Sequence, residues 1–136
     1  MSEQHDFPLE IVTPSGVIFT GRVHHVMVPG ADGYFGVLAN HAPLTAVLQT
    51  GKLTVDTAAG EKVFAISGGF IEVTPERVAL LSETAEPENS IDIPRAEEAL
   101  KRAQERLAAG EADLDVDRSR LALARALNRM RIASHE

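Results

Sequence analysis

Near Glu83 the hydrophobic rhythm of this chain changes, and that change constrains its fold more than any other feature. Before it, short apolar stretches are broken by Gly and Pro turns. After it, apolar residues recur at helical spacing. A strand repeats every ~2 residues and a helix every ~3.6, so the two parts belong to different kinds of structure. The expected fold is mainly β plus α: an N-terminal β-sandwich over residues 1–85, then a C-terminal antiparallel two-helix hairpin over residues 86–136.

The first part reads as many short strands. Phe7 to Thr13 alternates and stops at Pro14-Ser15-Gly16. Val17 to Gly21 and Val23 to Val28 follow, the latter closed by Pro29-Gly30-Ala31-Asp32-Gly33. Then come Tyr34 to Leu38, Leu44 to Leu48, Lys52 to Thr57, Val63 to Ser67, Phe70 to Thr74 and Val78 to Ser82. Strands this short and regularly spaced by turns indicate a sandwich or barrel. Aromatic residues make up 4% of the chain and Trp is absent, so the core must be aliphatic.

Ala85 to Ser90 reads as a polar linker. Asp92 suits an N-cap, with Pro94 in the first turn, where a missing N–H costs nothing. Ala96, Ala99, Leu100, Ala103 and Leu107 mark the buried stripe of a first helix, and Gly110 a stop. Asp113 or Asp115 can cap a second helix reaching about Ile132. The apolar faces are mostly Ala and Leu. Burial is worth ~25 cal/mol per Å², so small side chains hold a hairpin weakly. It is either permanently docked or able to leave its docking site.

The net charge of −7 argues against nonspecific nucleic-acid binding. The balance is uneven, because Arg118 to Glu136 holds five arginines and one Glu. No cysteine is present, which excludes disulfides and thiolate metal sites. No signal peptide is visible, and no apolar run approaches the ~20 residues of a membrane helix. The expectation is a soluble protein, attached to a membrane only through partners.

Enzyme chemistry finds no foothold. The Gly30 to Gly36 stretch lacks the Gly-Lys-Ser/Thr of a phosphate loop and reads as a turn needing positive φ. Gly68-Gly69 reads as a close backbone approach or a bulge. The histidines are scattered, and His24 and His25, adjacent on a strand, point to opposite faces. His41, before Ala42-Pro43, suits a turn or an interface. Arg95 and Arg102 share one helix face, and Arg125 and Arg129 another. They either converge on a polyanion or form surface ion pairs with Glu98, Glu105, Asp113 or Asp117.

Four strings occur in order: Pro29-Gly30-Ala31-Asp32-Gly33-Tyr34-Phe35-Gly36-Val37-Leu38 leading to Asn40-His41-Ala42-Pro43-Leu44, then Ser67-Gly68-Gly69-Phe70-Ile71-Glu72-Val73, then Ala85-Glu86, then Ile91-Asp92-Ile93-Pro94-Arg95-Ala96. On a chain of this layout they resemble the epsilon subunit of bacterial rotary ATP synthases over essentially the whole length. The resemblance implies a non-catalytic rotor subunit, peripheral to the cytoplasmic face of the cell membrane. Its implied partners are the gamma subunit and the c-ring, with Tyr34, Phe35, His41, Ala42 and Pro43 at the interface. An extended hairpin would meet the alpha/beta catalytic head through Arg118, Arg120 and Arg131. No cofactor is implied as a requirement. The motif at Ile91 implies ATP as a regulatory ligand, held by Glu86, Ile91, Asp92, Arg95, Ala96, Arg102, Arg125 and Arg129. The chain departs from the family pattern at Ala39-Asn40, often Pro-Gly, at Tyr34, often an acid, and at Pro94, which removes an N–H inside the motif. A free-standing ATP-sensing module is the second reading, and an unrelated β-sandwich enzyme a third.

Overall fold

The computed structural model describes residues 5–109 and 116–134. The chain divides into two units, one ending at Pro87 and the other starting at Glu88.

The first unit is built from β1 (Phe7–Thr13), β2 (Gly16–Val23), β3 (His25–Gly30), β4 (Gly33–Leu38), β5 (Leu44–Thr57), β6 (Gly60–Val73), β7 (Val78–Leu81) and β8 (Ala85–Pro87). Their order is β2-β1-β7-β6-β5-β3-β4, with β8 also on β6. β1 and β7 pair in parallel, and the other pairs are antiparallel.

Two strands are longer than the sequence pattern indicates. Leu44 to Leu48 and Lys52 to Thr57 are one strand, and so are Val63 to Ser67 and Phe70 to Thr74, the last ending at Val73. Gly51 and Gly68-Gly69 look like breaks in sequence but lie within continuous pairing. β5 and β6 keep one antiparallel register from Leu44↔Val73 to Thr57↔Gly60. The outer end of β6 pairs with β7 through Phe70 to Val73, and its other end pairs with β8 through Phe64 to Ile66. Each long strand therefore serves both layers of the sandwich.

The inward rows of both layers form one core. It includes Leu9, Ile11, Val26, Val28, Leu53, Val55, Ile66, Ile71 and Leu80, all but inaccessible to solvent. Phe19 on β2 meets Phe64 on β6 edge-to-face, with ring centroids 6.1 Å apart. The core is otherwise aliphatic, as the shortage of aromatics requires.

β8 occupies part of the segment that reads as a polar linker. Ala85, Glu86 and Pro87 pair with Ile66, Ala65 and Phe64, so strand pairing continues two residues past Ala85. A single 3-10 turn, Glu88–Ser90, follows. Its polarity misleads because β8 is a short edge strand with only Ala85 buried.

The second unit contains α1 (Ile93–Ala109) and α2 (Val116–Ala133), which pack on each other. Packed helices joined by so short a connection run antiparallel. Asp92 caps α1: its Oδ1 accepts the Arg95 N–H at 3.1 Å, while its carbonyl accepts the Ala96 N–H at 2.9 Å. Such a cap is worth about 1 kcal/mol. Pro94 sits in the first turn, where no N–H is needed. Gly110, Asp113 and Asp115 lie outside the described residues.

Gly69 is the tightest backbone point in the sandwich. Its φ is +118°, and a Cβ there would run into the Leu81 carbonyl on β7. Gly69→Ala therefore combines a disfavoured conformation with a backbone clash. It should cost about 2–4 kcal/mol, measured as a lowered denaturant midpoint. Gly16→Ala shares the positive φ but faces open space, so it should cost less.

Candidate functional site

Three surfaces carry candidate functional residues. The first is the turn between β4 and β5. The His41 N–H donates to the Leu38 carbonyl at 3.2 Å, with Ala39 and Asn40 in the middle. Asn40 has φ +67°. Such a turn needs a left-handed residue at its third position, and Asn is one of the few non-glycines that tolerates it. The departure at Ala39-Asn40 thus preserves the requirement that Pro-Gly meets. His41 is half-buried, and its Nδ1 donates to the Ala42 carbonyl at 2.7 Å, which sets the ring's protonated nitrogen. Ala42 and Pro43 are exposed, while Phe35 packs against the core. Tyr34 is exposed, yet its Oη accepts the Lys52 N–H at 2.9 Å. A cavity of about 30 Å³ beside this turn, lined by Phe7, Val37, Asn40, His41 and Val78 among others, has room for about one water and no metabolite.

The second surface is a row of outward apolar side chains. Cross-strand partners run Val17↔Val12, Val12↔Leu81, Leu81↔Phe70 and Phe70↔Val47, across β2, β1, β7, β6 and β5. Val17 is 58% exposed, Val47 65%, Phe70 44% and Leu81 38%, so water meets an apolar band rather than the usual polar outer face. Sequence reasoning missed this row because alternation reports the inward residues. Its signal lies in consecutive apolar pairs: Val47-Leu48, Phe70-Ile71 and Leu80-Leu81 cannot all point inward.

The third surface is the hairpin. Besides Ile132 near the end of α2, the described buried residues of its two helices are small and form its seam: Ala96 and Ala103 on α1, Ser119 and Ala126 on α2. The seven-residue spacing on each helix keeps them on one face. Arg95, Arg102 and Arg106 run along one flank of the α1 seam. Arg118, Arg125 and Arg129 run along one flank of α2. In an antiparallel pair, residues just N-terminal to the seam position fall on the same side of both helices. The geometry therefore gathers Arg95, Arg102, Arg125 and Arg129 onto one side and adds Arg106 and Arg118. Arg120 and Arg131 lie around the other side of α2, apart from Arg118. Ile91 is buried just ahead of α1, and Ala96 is a seam residue. Glu86 lies on β8, in the first unit.

An ion pair within α1 touches this flank. Arg102 Nη1 lies 3.6 Å from Glu98 Oε1, one turn away, but both side chains are more than half exposed. Such a pair is worth a few tenths of a kcal/mol and yields readily to a phosphate. Arg129 is half-buried, with its Nε enclosed. Among the described residues, no cluster of His, Asp or Glu suits a metal ion.

A β-sandwich followed by two long helices is the two-part architecture of a known class. The family model for the beta-sandwich domain of the ATP synthase Delta/Epsilon chain matches residues 6–88, and that for its long alpha-helix domain matches residues 89–134. The chain belongs to the ATP synthase epsilon family. An ATP synthase epsilon chain of Desulforamulus reducens is 44% identical over 127 residues, spanning 92% of this chain and 95% of the relative. That of Bacillus mycoides is 39% identical over 127 residues, spanning 93% and 96%. The fold also matches a chain in the cryo-EM structure of the Euglena gracilis mitochondrial ATP synthase, OSCP/F1/c-ring, with a TM-score of 0.82 and 22% identity. That match covers 100% of this chain and 85% of the other.

Proposed function

We propose that this chain is a non-catalytic rotor subunit of a proton-translocating ATP synthase, joining the gamma shaft to the c-ring. The observation that carries this reading is the apolar row from Val17 to Val47, on a chain whose whole length matches the family. A five-strand apolar band suits a lasting partner. We assign it to the shaft and the Ala39–Pro43 turn to the ring. Catalysis then belongs to other subunits of the complex. No described helix is long and apolar enough to cross a membrane, which fits attachment through partners at the cytoplasmic face. A free-standing ATP sensor has no use for this band.

The hairpin adds regulation. A flank of arginines beside a small-residue seam suits a nucleotide triphosphate, with its phosphates on Arg95, Arg102, Arg125 and Arg129 and its base toward Ile91 and Asp92. Extended, the same hairpin offers Arg118, Arg120 and Arg131 to the acidic segments of the catalytic head. Small seam side chains hold the two helices together only modestly, so contacts of a few kcal/mol decide between the folded hairpin and an extended one. Extension would obstruct rotation in the hydrolysis direction.

Three measurements test these assignments. Phe70→Glu places a charge in the middle of the apolar row without disturbing the core. It should fold normally by circular dichroism yet bind the shaft at least about tenfold more weakly, a loss of ~1.4 kcal/mol. Full retention of binding would remove the shaft assignment. Titration calorimetry with ATP should give saturable binding, and Arg102→Ala or Arg129→Ala should each weaken it by about 1.5–3 kcal/mol. Absence of heat and of any thermal shift at millimolar ATP would sink the ligand reading and leave the rotor reading intact. Removing all residues after Gly110 should raise ATP hydrolysis by the reconstituted complex while preserving synthesis. An unchanged hydrolysis rate would mean that the hairpin is no brake.

A further inference from the structure

We infer that Tyr34 is a positioning residue: its hydroxyl straps the start of β4 to the middle of β5 and so frames the β4–β5 turn. The reason lies in a gap in the β3–β5 ladder. β3 pairs with β5 at Met27↔Thr54 and next at Gly30↔Leu48. β5 therefore spends six residues where β3 spends three, and the ladder between the two strands is interrupted there. Pro29, inside the same stretch of β3, has no N–H to offer.

Side chains fill the gap. Lys52 donates its N–H to Tyr34 Oη at 2.9 Å, and Gln49 Nε2 donates to the Gly30 carbonyl at 2.8 Å. Gly51 lets the phenol come close. A Cβ there would lie 2.6 Å from Pro29 Cβ and 2.7 Å from Tyr34 Oη, too near for any side chain to fit without a shift. Glycine, proline and tyrosine thus form one corner, where β5 passes from one layer to the other.

The strap joins residues 18 apart. That interval holds Phe35, the Ala39-Asn40 turn, His41, Ala42 and Pro43. It begins on β4, passes through the turn and returns along β5. A cross-strand bond closing such a frame limits the conformations open to the turn before any partner arrives, and ordering done in advance is not charged against binding. Exposure alone makes Tyr34 a contact residue. The hydrogen bond makes it a strut, with about half of the residue left in water. The functional half of this inference rests on the ring-facing reading of the turn.

Hydrogen exchange resolved by residue, on the intact chain and on Tyr34→Phe, tests it, together with the affinity of each for a synthase complex depleted of this subunit. Phenylalanine keeps the ring that a direct contact would use and removes only the hydroxyl. The expected result is exchange at the Lys52 amide faster by about fivefold, a smaller rise across the turn from Leu38 to Leu44, and no change at Ile11 or Leu80 in the core. Affinity for the depleted complex falls several-fold. Unchanged exchange at Lys52 overturns the strap. Faster exchange with undiminished affinity overturns the positioning role. If the native chain itself fails to bind, the rotor reading falls, and exchange at Lys52 still decides whether the strap exists.

Discussion

The pairing of β5 with β6 is the constraint on which the rest of the sandwich depends. Each strand has fourteen residues, and they stay in one register from end to end. Every other strand reaches the sheet through one of them. β7 and β8 take opposite ends of β6, β3 takes β5, and β1, β2 and β4 follow outward. A ribbon this long cannot stay flat beneath two layers, so both strands must turn a corner where neighbouring ladders open. A buried backbone group left without a partner there would cost about 1–3 kcal/mol. On β5 the corner is closed by Tyr34 and Gln49. On β6 it is closed by hydroxyls. Ser67 Oγ meets Thr84 Oγ1 at 2.6 Å and accepts the Thr84 N–H at 3.1 Å, while Ser82 Oγ donates to the Thr84 carbonyl at 2.8 Å. Gly69 supplies the close approach to β7. The close backbone approach expected of Gly68-Gly69 is thus part of one corner, together with Ser67.

The hairpin is built on the opposite principle. The sandwich buries Leu, Ile, Val and Phe from many strands in one core, whereas the two helices bury mostly small side chains, Ala96, Ala103, Ser119 and Ala126, with Ile132 the one large one among the described residues. Deleting a methyl from that seam removes little, and so does separating it. What the hairpin has in abundance is charge on one flank. In the proposed reading, a polyanion would gain several guanidinium contacts at once. A seam of small side chains would give such a ligand leverage over it.

Much of this was legible in the sequence. The switch from strand to helix, the Asp92 cap and the need for positive φ in the Gly30 to Gly36 hairpin, met by Gly33 at +131°, all follow from local chemistry, and the structure has them. What could not be read depends on partners distant in the chain. Gly51 and Gly68-Gly69 signal breaks locally, and only their pairing shows that the strands continue. Ala85 to Pro87 is polar enough to pass for a linker because an edge strand buries little. The apolar row was invisible to a search for alternation, since it consists of the residues such a search treats as outward and ignores. Arg118 and Arg120 look like one basic patch in sequence, yet helical rotation assigns them to different sides.

In the proposed reading, β5 carries more than its share of the sandwich's roles. It begins at Leu44, where the candidate ring-facing turn ends. Val47, three residues on, belongs to the apolar row assigned to the shaft. Lys52, five further, receives the strap from Tyr34. At ~3.3 Å per residue these points lie within roughly 27 Å along one extended strand. A strand paired with its neighbour from end to end, as β5 is with β6, resists bending far better than a loop would. A displacement imposed at the turn is therefore passed to the apolar row through backbone, without a compliant side chain between. A subunit that must hold a ring and a shaft in fixed relation gains by mounting both contacts on one element. The tyrosine strap then has a mechanical meaning: it closes the one stretch of β5 where the ladder to β3 has opened.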